Sequence, residues 1–209
     1  MKRVATVLAL LFVAVAPVFG QNLLENPGFD VPDQLDGWSC TSANGVAAWN
    51  SEDRRGSPGS GSVQHDVSAS ANNRTINCSQ CVPVTEAETY LGSVWHHWPD
   101  DADVTQDGST RLSILWYSTA SCTGLIDWVA PAIHSYPPNP LDTWTLLQSQ
   151  PGTAPAGTAA ARVEVYTWQD LANEPVRSRI DDVWFAPYID VFSDGFESGD
   201  ISAWSGSTP

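Results

Sequence analysis

Aromatic and polar side chains at strand spacing are the residues of this chain best suited to chemistry, and that chemistry is non-covalent recognition. Ten tryptophans stand among 209 residues, more than a core of this size requires. In a β-strand, side chains two apart share a face. Over residues 160–168, Val163 and Val165 mark an inward face, which turns Glu164, Tyr166 and Trp168 the other way. Over 110–118, Leu112, Ile114 and Trp116 read as inward, leaving Arg111, Ser113, Leu115 and Tyr117 outward. Over 89–97, Tyr90 and Val94 join the core and Ser93, Trp95 and His97 face out. The expectation is one face that gathers Trp95, His97, Tyr117, Tyr166 and Trp168 beside Arg111 and Glu164. Flat aromatic rings take the apolar C–H faces of sugars while polar neighbours take the hydroxyls. Carbohydrate is therefore the partner such a face implies. Packing into a second layer is the alternative for each ring. Trp38, Trp144 and Trp184 read as core, whereas Trp98 and Trp128 border loops and can rim a site.

Covalent chemistry finds less support. The histidines are His65, His96, His97 and His134, and neither His-Glu-x-x-His nor Gly-x-Ser-x-Gly occurs. His96 and His97 are adjacent, so a strand points them to opposite sides. Asp100, Asp101, Asp103 and Asp107 form an acidic run that reads as solvated or weakly cation-binding. The expectation is a protein that is not an enzyme. Four cysteines, Cys40, Cys78, Cys81 and Cys122, are an even set and read as two disulfides in an exported chain. The Cys78-Ser79-Gln80-Cys81 spacing also suits zinc or a redox motif. Zinc would need a second close pair, and Cys40 and Cys122 are isolated. A redox motif opens a helix, whereas Val82-Pro83-Val84 follows this one. Three pairings stay open, with Cys40–Cys78 and Cys81–Cys122 the first guess.

The elements that must position these groups are strands. Helical periodicity is nearly absent after residue 20, and short runs rich in Val, Ile, Thr, Tyr and Trp alternate with Gly, Pro, Asn, Asp and Ser clusters. Strands are expected over 62–67, 89–97, 110–118, 143–148, 160–168 and 179–185, with loops over 99–107 and 137–142. This pattern is all-β and of sandwich type.

The start of the chain reads as a signal peptide over residues 1–20. Lys2 and Arg3 precede an apolar run from Val4 to Ala16, Pro17 follows, and cleavage is expected after Gly20. The run is shorter than the ~20 apolar residues of a spanning helix. Loss of Lys2 and Arg3 takes the net charge from −15 to −17 and leaves no lysine. Such a surface repels phosphate backbones and anionic lipid heads, so nucleic acid and membrane insertion after signal cleavage are not expected. The expected location is secreted or cell-surface, extracellular or periplasmic.

A partial echo links the two ends. Asn26-Pro27-Gly28-Phe29-Asp30 with Gly37-Trp38-Ser39 is matched by Ser193-Asp194-Gly195-Phe196-Glu197 with Ala203-Trp204-Ser205. The opening run Asn22 to Asp30 with Gly37-Trp38 belongs to a wider set of landmarks. Trp144, Ala154-Pro155-Ala156-Gly157-Thr158 and Ala161-Arg162-Val163-Glu164-Val165 form its late hairpin, and Ile180-Asp181-Asp182-Val183-Trp184-Phe185 its close. Together they resemble the carbohydrate-binding modules of the galactose-binding-like jelly-roll group, over residues 21–188. The tail, residues 189–209, resembles a short C-terminal motif found on exported bacterial proteins. The resemblance implies a jelly-roll β-sandwich (galactose-binding-like) and a structural calcium shared between the chain ends. Carried over by position, the calcium ligands are Asp30 and Asp181, with Asp182 as substitute for Asp181 and carbonyls near Gly28 and in the 57–61 turn as additions. The resemblance thus implies a non-catalytic exported module that binds polysaccharide or glycan. A structural or adhesive surface protein using the same fold for protein contacts is the alternative.

Overall fold

The computed structural model describes residues 20–43, 45–68, 75–103, 108–135, 141–169 and 175–188. The expected signal peptide, apart from Gly20, and the expected tail motif lie outside these residues. Eleven strands are present: β1 (Ser39–Ser42), β2 (Gly45–Asn50), β3 (Ser62–Val67), β4 (Thr75–Pro83), β5 (Thr89–His97), β6 (Gly108–Tyr117), β7 (Leu125–Ser135), β8 (Trp144–Gln148), β9 (Gly152–Thr153), β10 (Ala160–Gln169) and β11 (Val176–Pro187). Among the described residues there is no helix.

Alternation along each strand decides what the two sheets bury. On β10, Ala161, Val163, Val165 and Thr167 are buried inward, and on β6 so are Leu112, Ile114 and Trp116. On β11, Val176, Ser178 and Ile180 point in, but Val183 and Phe185 continue the inward row one residue out of phase. A bulge opposite β5 between Asp181 and Trp184 absorbs the extra residue, with Asp182 at φ 46°. All eleven strands pair antiparallel into two layers. Sheet A runs β1-β4-β10-β6-β7, and sheet B runs β2-β3-β11-β5-β8 with β9 added beside β5. The chain is a jelly-roll β-sandwich.

Facing rows fill the space between the sheets. Val163, Val165, Leu112 and Ile114 of sheet A meet Val94, Ile180, Val183 and Phe185 of sheet B in one cluster. Gly92 lets them approach, since a Cβ there would stand 3.1 Å from the Ile114 Cδ1. Deleting one such aliphatic side chain costs about 2–5 kcal/mol. His65 of β3 is buried in this interior, with Nδ1 3.0 Å from the Thr167 hydroxyl and Nε2 3.4 Å from the Cys78 sulfur. Burial pushes its pKa down to about 3, so the imidazole is neutral. A second pair ties one end of the sandwich, with His96 Nε2 of β5 2.6 Å from His134 Nδ1 of β7. Burial, then the charges of His134 and His97, hold His96 down to about 3.

Two disulfides staple sheet A. Cys40–Cys78 joins β1 to β4, and Cys81–Cys122 joins β4 to the turn after β6. With sequence separations of 38 and 41, each removes roughly 4 kcal/mol of loop entropy from the unfolded chain. The opening run, Asn22 to Asp30, is not a regular strand. It lies beside β11, through Leu23 N–H to the Phe185 carbonyl and Val183 N–H to the Pro27 carbonyl. Asn22 supplies the remaining pairing from its side chain, donating to the Val183 carbonyl and accepting from the Phe185 N–H.

Candidate functional site

Pairing register assembles an open surface on the outer face of sheet A. Across the β10–β6 ladder, Trp168 lies opposite Ser109, Tyr166 opposite Arg111, Glu164 opposite Ser113, and Arg162 opposite Leu115. Directly paired residues share a face, so these side chains form one row two residues wide. β4 extends it with Thr75, Asn77 and Ser79 opposite Trp168, Tyr166 and Glu164. β7 extends it the other way with Ile133 opposite Arg111 and Trp128 opposite Leu115. Tyr166 and Trp168 are half-buried, while Trp128 is 56% exposed. Tyr166 and Trp168 thus stand on the central strand β10 and Trp128 on the edge strand β7.

Charges on this face are unevenly committed. Arg162 meets Glu164 at 2.6 Å as an ion pair, although its Nε makes no aligned hydrogen bond. Its guanidinium also stands 5.0 Å from the Tyr117 ring centre. Tyr117 is nearly covered; burial raises its pKa, with Glu164 adding to the rise and Arg162 opposing it. Arg111 stands between the two rings of β10, 5.6 Å from the Tyr166 centroid and 5.4 Å from the Trp168 centroid. Its Nε donates to the Ser109 hydroxyl at 3.2 Å. Beside Tyr166, the buried amide oxygen of Asn77 has no hydrogen-bond partner.

Five of the seven expected site residues, Arg111, Tyr117, Glu164, Tyr166 and Trp168, come together here. Trp95 and His97 do not. They point outward from β5, which belongs to sheet B, so the sandwich core separates them from the other five. Alternation identifies outward residues on a strand but not which sheet holds the strand. On sheet B, the Arg54 guanidinium covers the Trp95 ring at 4.3 Å, and Trp95 and Trp184 line a cavity of about 290 Å³ with Asn22, Ser93 and Asp182. His97 is buried against Trp144, with ring centroids 5.2 Å apart. It lies 3.6 Å from Glu52 and 3.7 Å from Asp142. Burial lowers its pKa and Arg179 adds to this, against Glu52 and Asp142. Trp184 and Trp144 are thus half-buried on an outer face rather than in the core, and Trp98 is core rather than rim.

The expected calcium pair also changes. Asp30 lines a cavity of about 260 Å³ with Gly28, Asp53, Ser60 and Asp182, and Asp181 does not line it. Asp181 is buried beneath the 51–56 loop, its carboxylate accepting the Arg54 N–H at 2.9 Å and the Asp182 N–H at 2.6 Å. Burial first, then the like charges of Asp182 and Asp53, push its pKa up to about 7 against those hydrogen bonds. The bulge is the cause, because it turns Asp182 out of the strand alternation and towards Gly28. A Cβ on Gly28 would stand 3.6 Å from Ser60 Oγ, 3.7 Å from Asp30 Oδ1 and 3.9 Å from Asp182 Oδ1. Those hard oxygens are of the type calcium takes, with Asp182 rather than Asp181 facing Asp30, and Arg55 also lines the cavity. Arg54 and Arg55 pair with Asp182 through its other oxygen, Oδ2. No three acid, histidine or cysteine side chains group closely enough to hold a metal among the described residues. The remaining ligands would be hydroxyl, carbonyl and water.

Solved structures share this architecture. The enzymatically active domain of bacteriophage CBA120 tailspike protein 4 matches with TM-score 0.60 and 11% identity, over 80% of this chain and 21% of that one. Carbohydrate-binding modules of the β-sandwich superfamily, described as promiscuous in specificity, match with TM-score 0.53 and 13% identity, over 79% of this chain and 61% of theirs. This chain has the β-sandwich fold of such modules. TmCBM61 in complex with β-1,4-galactotriose matches with TM-score 0.53 and 14% identity, over 80% of this chain and 99% of that one. At these identities the likeness is one of fold. No family model matches the chain, and no curated protein matches its sequence.

Arg162 and Asn77 join the sheet A face although the sequence does not single them out, whereas Trp128, which reads as bordering a loop and able to rim a site, stands on β7. Arg162 was legible, since it is two residues before Glu164 on the same strand. Asn77 was hidden because Gln80 breaks the apolar alternation of β4. Gln80 is buried inward because its amide accepts the Glu25 N–H at 2.9 Å and donates to the Glu25 carbonyl at 2.5 Å, as a strand partner would.

Proposed function

We propose that this chain is a non-catalytic exported module that binds carbohydrate on the outer face of sheet A. The observation that carries the reading is the row Tyr166–Arg111–Trp168, flanked by Asn77 and Glu164 and continued towards Trp128. It offers ring faces for sugar C–H groups and donors and acceptors for hydroxyls side by side. The fold shared with carbohydrate-binding modules supports the reading, and two disulfides are consistent with an oxidising, extracellular location. A glycan array probed with the wild-type chain and with Tyr166→Ala and Trp168→Ala tests it. Binding that both variants lose supports the reading; no binding to any polysaccharide ends it.

A structural calcium is part of the same proposal. Asp30 and Asp182 would hold it with Ser60 and the Gly28 carbonyl, pinning the opening segment to β11. A second reading, protein contact, draws on Leu125, Ile126, Trp128 and Ile133, all exposed along the edge strand β7.

A further inference from the structure

Arginine is scarce in this acidic chain, and its placement is informative. Six arginines lie among the described residues: Arg54, Arg55, Arg111, Arg162, Arg177 and Arg179. Five meet a carboxylate. Arg54 and Arg55 pair with Asp182, Arg162 with Glu164, Arg177 with Asp66, Asp101 and Asp103, and Arg179 with Glu52 and Asp101. Among the described residues Arg111 meets none, although the chain carries a net charge of −15. Its one polar contact is the Nε bond to Ser109, which leaves both terminal nitrogens of the fork open. Glu164, the nearest acid along β10, is held by Arg162 instead.

The surroundings of Arg111 define what would meet it. The guanidinium stands over the two rings of the proposed sugar face, 5.6 Å from the Tyr166 centroid and 5.4 Å from the Trp168 centroid. Arg54 on the opposite sheet sits closer to its ring, at 4.3 Å, and covers it. An arginine fork matches a carboxylate with two parallel hydrogen bonds. A sugar ring resting on Tyr166 or Trp168 would bring a substituent at its edge to Arg111. A uronic acid is such a sugar, with its carboxylate on C5 at the ring edge. Net negative charge elsewhere disfavours a densely charged polyanion, which would bring many carboxylates within a Debye length of ~8 Å from the protein's own acids.

We infer that the sheet A face selects glycans carrying sparse uronic acid residues, with Arg111 taking the carboxylate and Tyr166 and Trp168 the ring. The inference rests on the carbohydrate reading above and is tested separately from it. Titration calorimetry compares a xylo-oligosaccharide with a neutral backbone and one glucuronic acid branch with the same compound after reduction of the carboxyl to an alcohol. Homogalacturonan is the dense polyanion. The wild-type chain is expected to prefer the uronate by about tenfold, the equivalent of one charge-assisted hydrogen bond, and to bind homogalacturonan more weakly than the branched compound. Arg111→Gln should bring the two matched compounds within about twofold, with Arg111→Lys between, all three chains melting alike. Equal wild-type affinity for uronate and reduced compound, with both bound, overturns the inference and leaves the carbohydrate reading standing. A preference that survives Arg111→Gln also overturns it. Failure to bind any glycan of the array removes the carbohydrate reading itself.

Discussion

The two outer faces of the sandwich use the same residue types to different ends. Each carries half-buried aromatics and arginines. On sheet B the arginines are enclosed in carboxylates: Arg177 donates to Asp66, Asp101 and Asp103, and Arg179 to Glu52 and Gln64. Burial opposes the charge on Arg177, but its hydrogen bonds outweigh this and raise its pKa above the ordinary value. The rings there are covered as well, Trp95 by Arg54 and Trp144 by His97. On sheet A, Arg111 stands farther from its rings, 5.6 Å from the Tyr166 and 5.4 Å from the Trp168 centroid, and its terminal nitrogens meet no carboxylate among the described residues. Composition cannot distinguish the two; the distribution of carboxylates around the arginines does. One face reads as cross-linked and the other as unfinished without a partner.

The largest test of this contrast is the tryptophan exchange. Trp168→Ala is expected to weaken glycan binding by about 2 kcal/mol or more, whereas Trp95→Ala changes it by less than about 0.5 kcal/mol. The reverse ranking would move the site to sheet B. Next come the arginines, read by denaturant unfolding rather than by binding. Arg177→Met leaves three carboxylates facing one another and should cost roughly 1–2 kcal/mol of stability with glycan affinity retained. Arg111→Gln should cost less than about 0.5 kcal/mol, because no protein charge depends on it.

Acid separates the interior from both faces. His65 and His96 are held neutral at pKa values of about 3, while unfolded histidine titrates near 6.5. The unfolded chain therefore binds more protons below pH 6.5, and stability falls as the pH drops from about 6.5 towards 3. Asp181 works in the opposite sense, because its raised pKa stabilises the fold as the pH falls from about 7 towards 3.8. Thermal melts at pH 7.5 and 4.5 should show His65→Gln losing roughly 2 kcal/mol less than wild type over that interval. Equal losses would mean that His65 is protonated in the fold. The smallest expected effect is that of a chelator. Removing calcium should lower the melting temperature of the wild-type chain by a few degrees, about 1 kcal/mol, and that of Asp182→Ala by less. A chelator effect retained in Asp182→Ala and lost in Asp181→Ala would restore the ligand expected from position alone.

Much of the fold was legible because strand alternation is local. The strands over 62–67 and 89–97 match β3 and β5, and the rows Val163/Val165 and Leu112/Ile114/Trp116 point inward as read. β4 and β7 were not foreseen. Gln80 interrupts the first, and the second exposes Leu125, Ile126, Trp128 and Ile133 in a run without clean alternation. The first-guess disulfide pairing is the one the fold makes, although the sequence left all three open.

What the chain's local chemistry carried was the outward identity of each residue: Tyr166, Trp168, Arg111 and Glu164 read as outward because they alternate with residues such as Val163, Val165 and Leu112 that are apolar and buried. Which outward residues stand together depended on long-range pairing. β10 lies between β4 and β6, while β5 lies between β11 and β8 on the other layer, so Trp95 and His97 face away from the rest. The same holds for the acids at the chain ends, where a bulge in β11 sends Asp182 rather than Asp181 towards Asp30. Burial of apolar rows acts residue by residue and is written along the sequence. Strand order and a one-residue register shift are set by the packing of the whole sandwich, and they are what gather five of the expected side chains into one face.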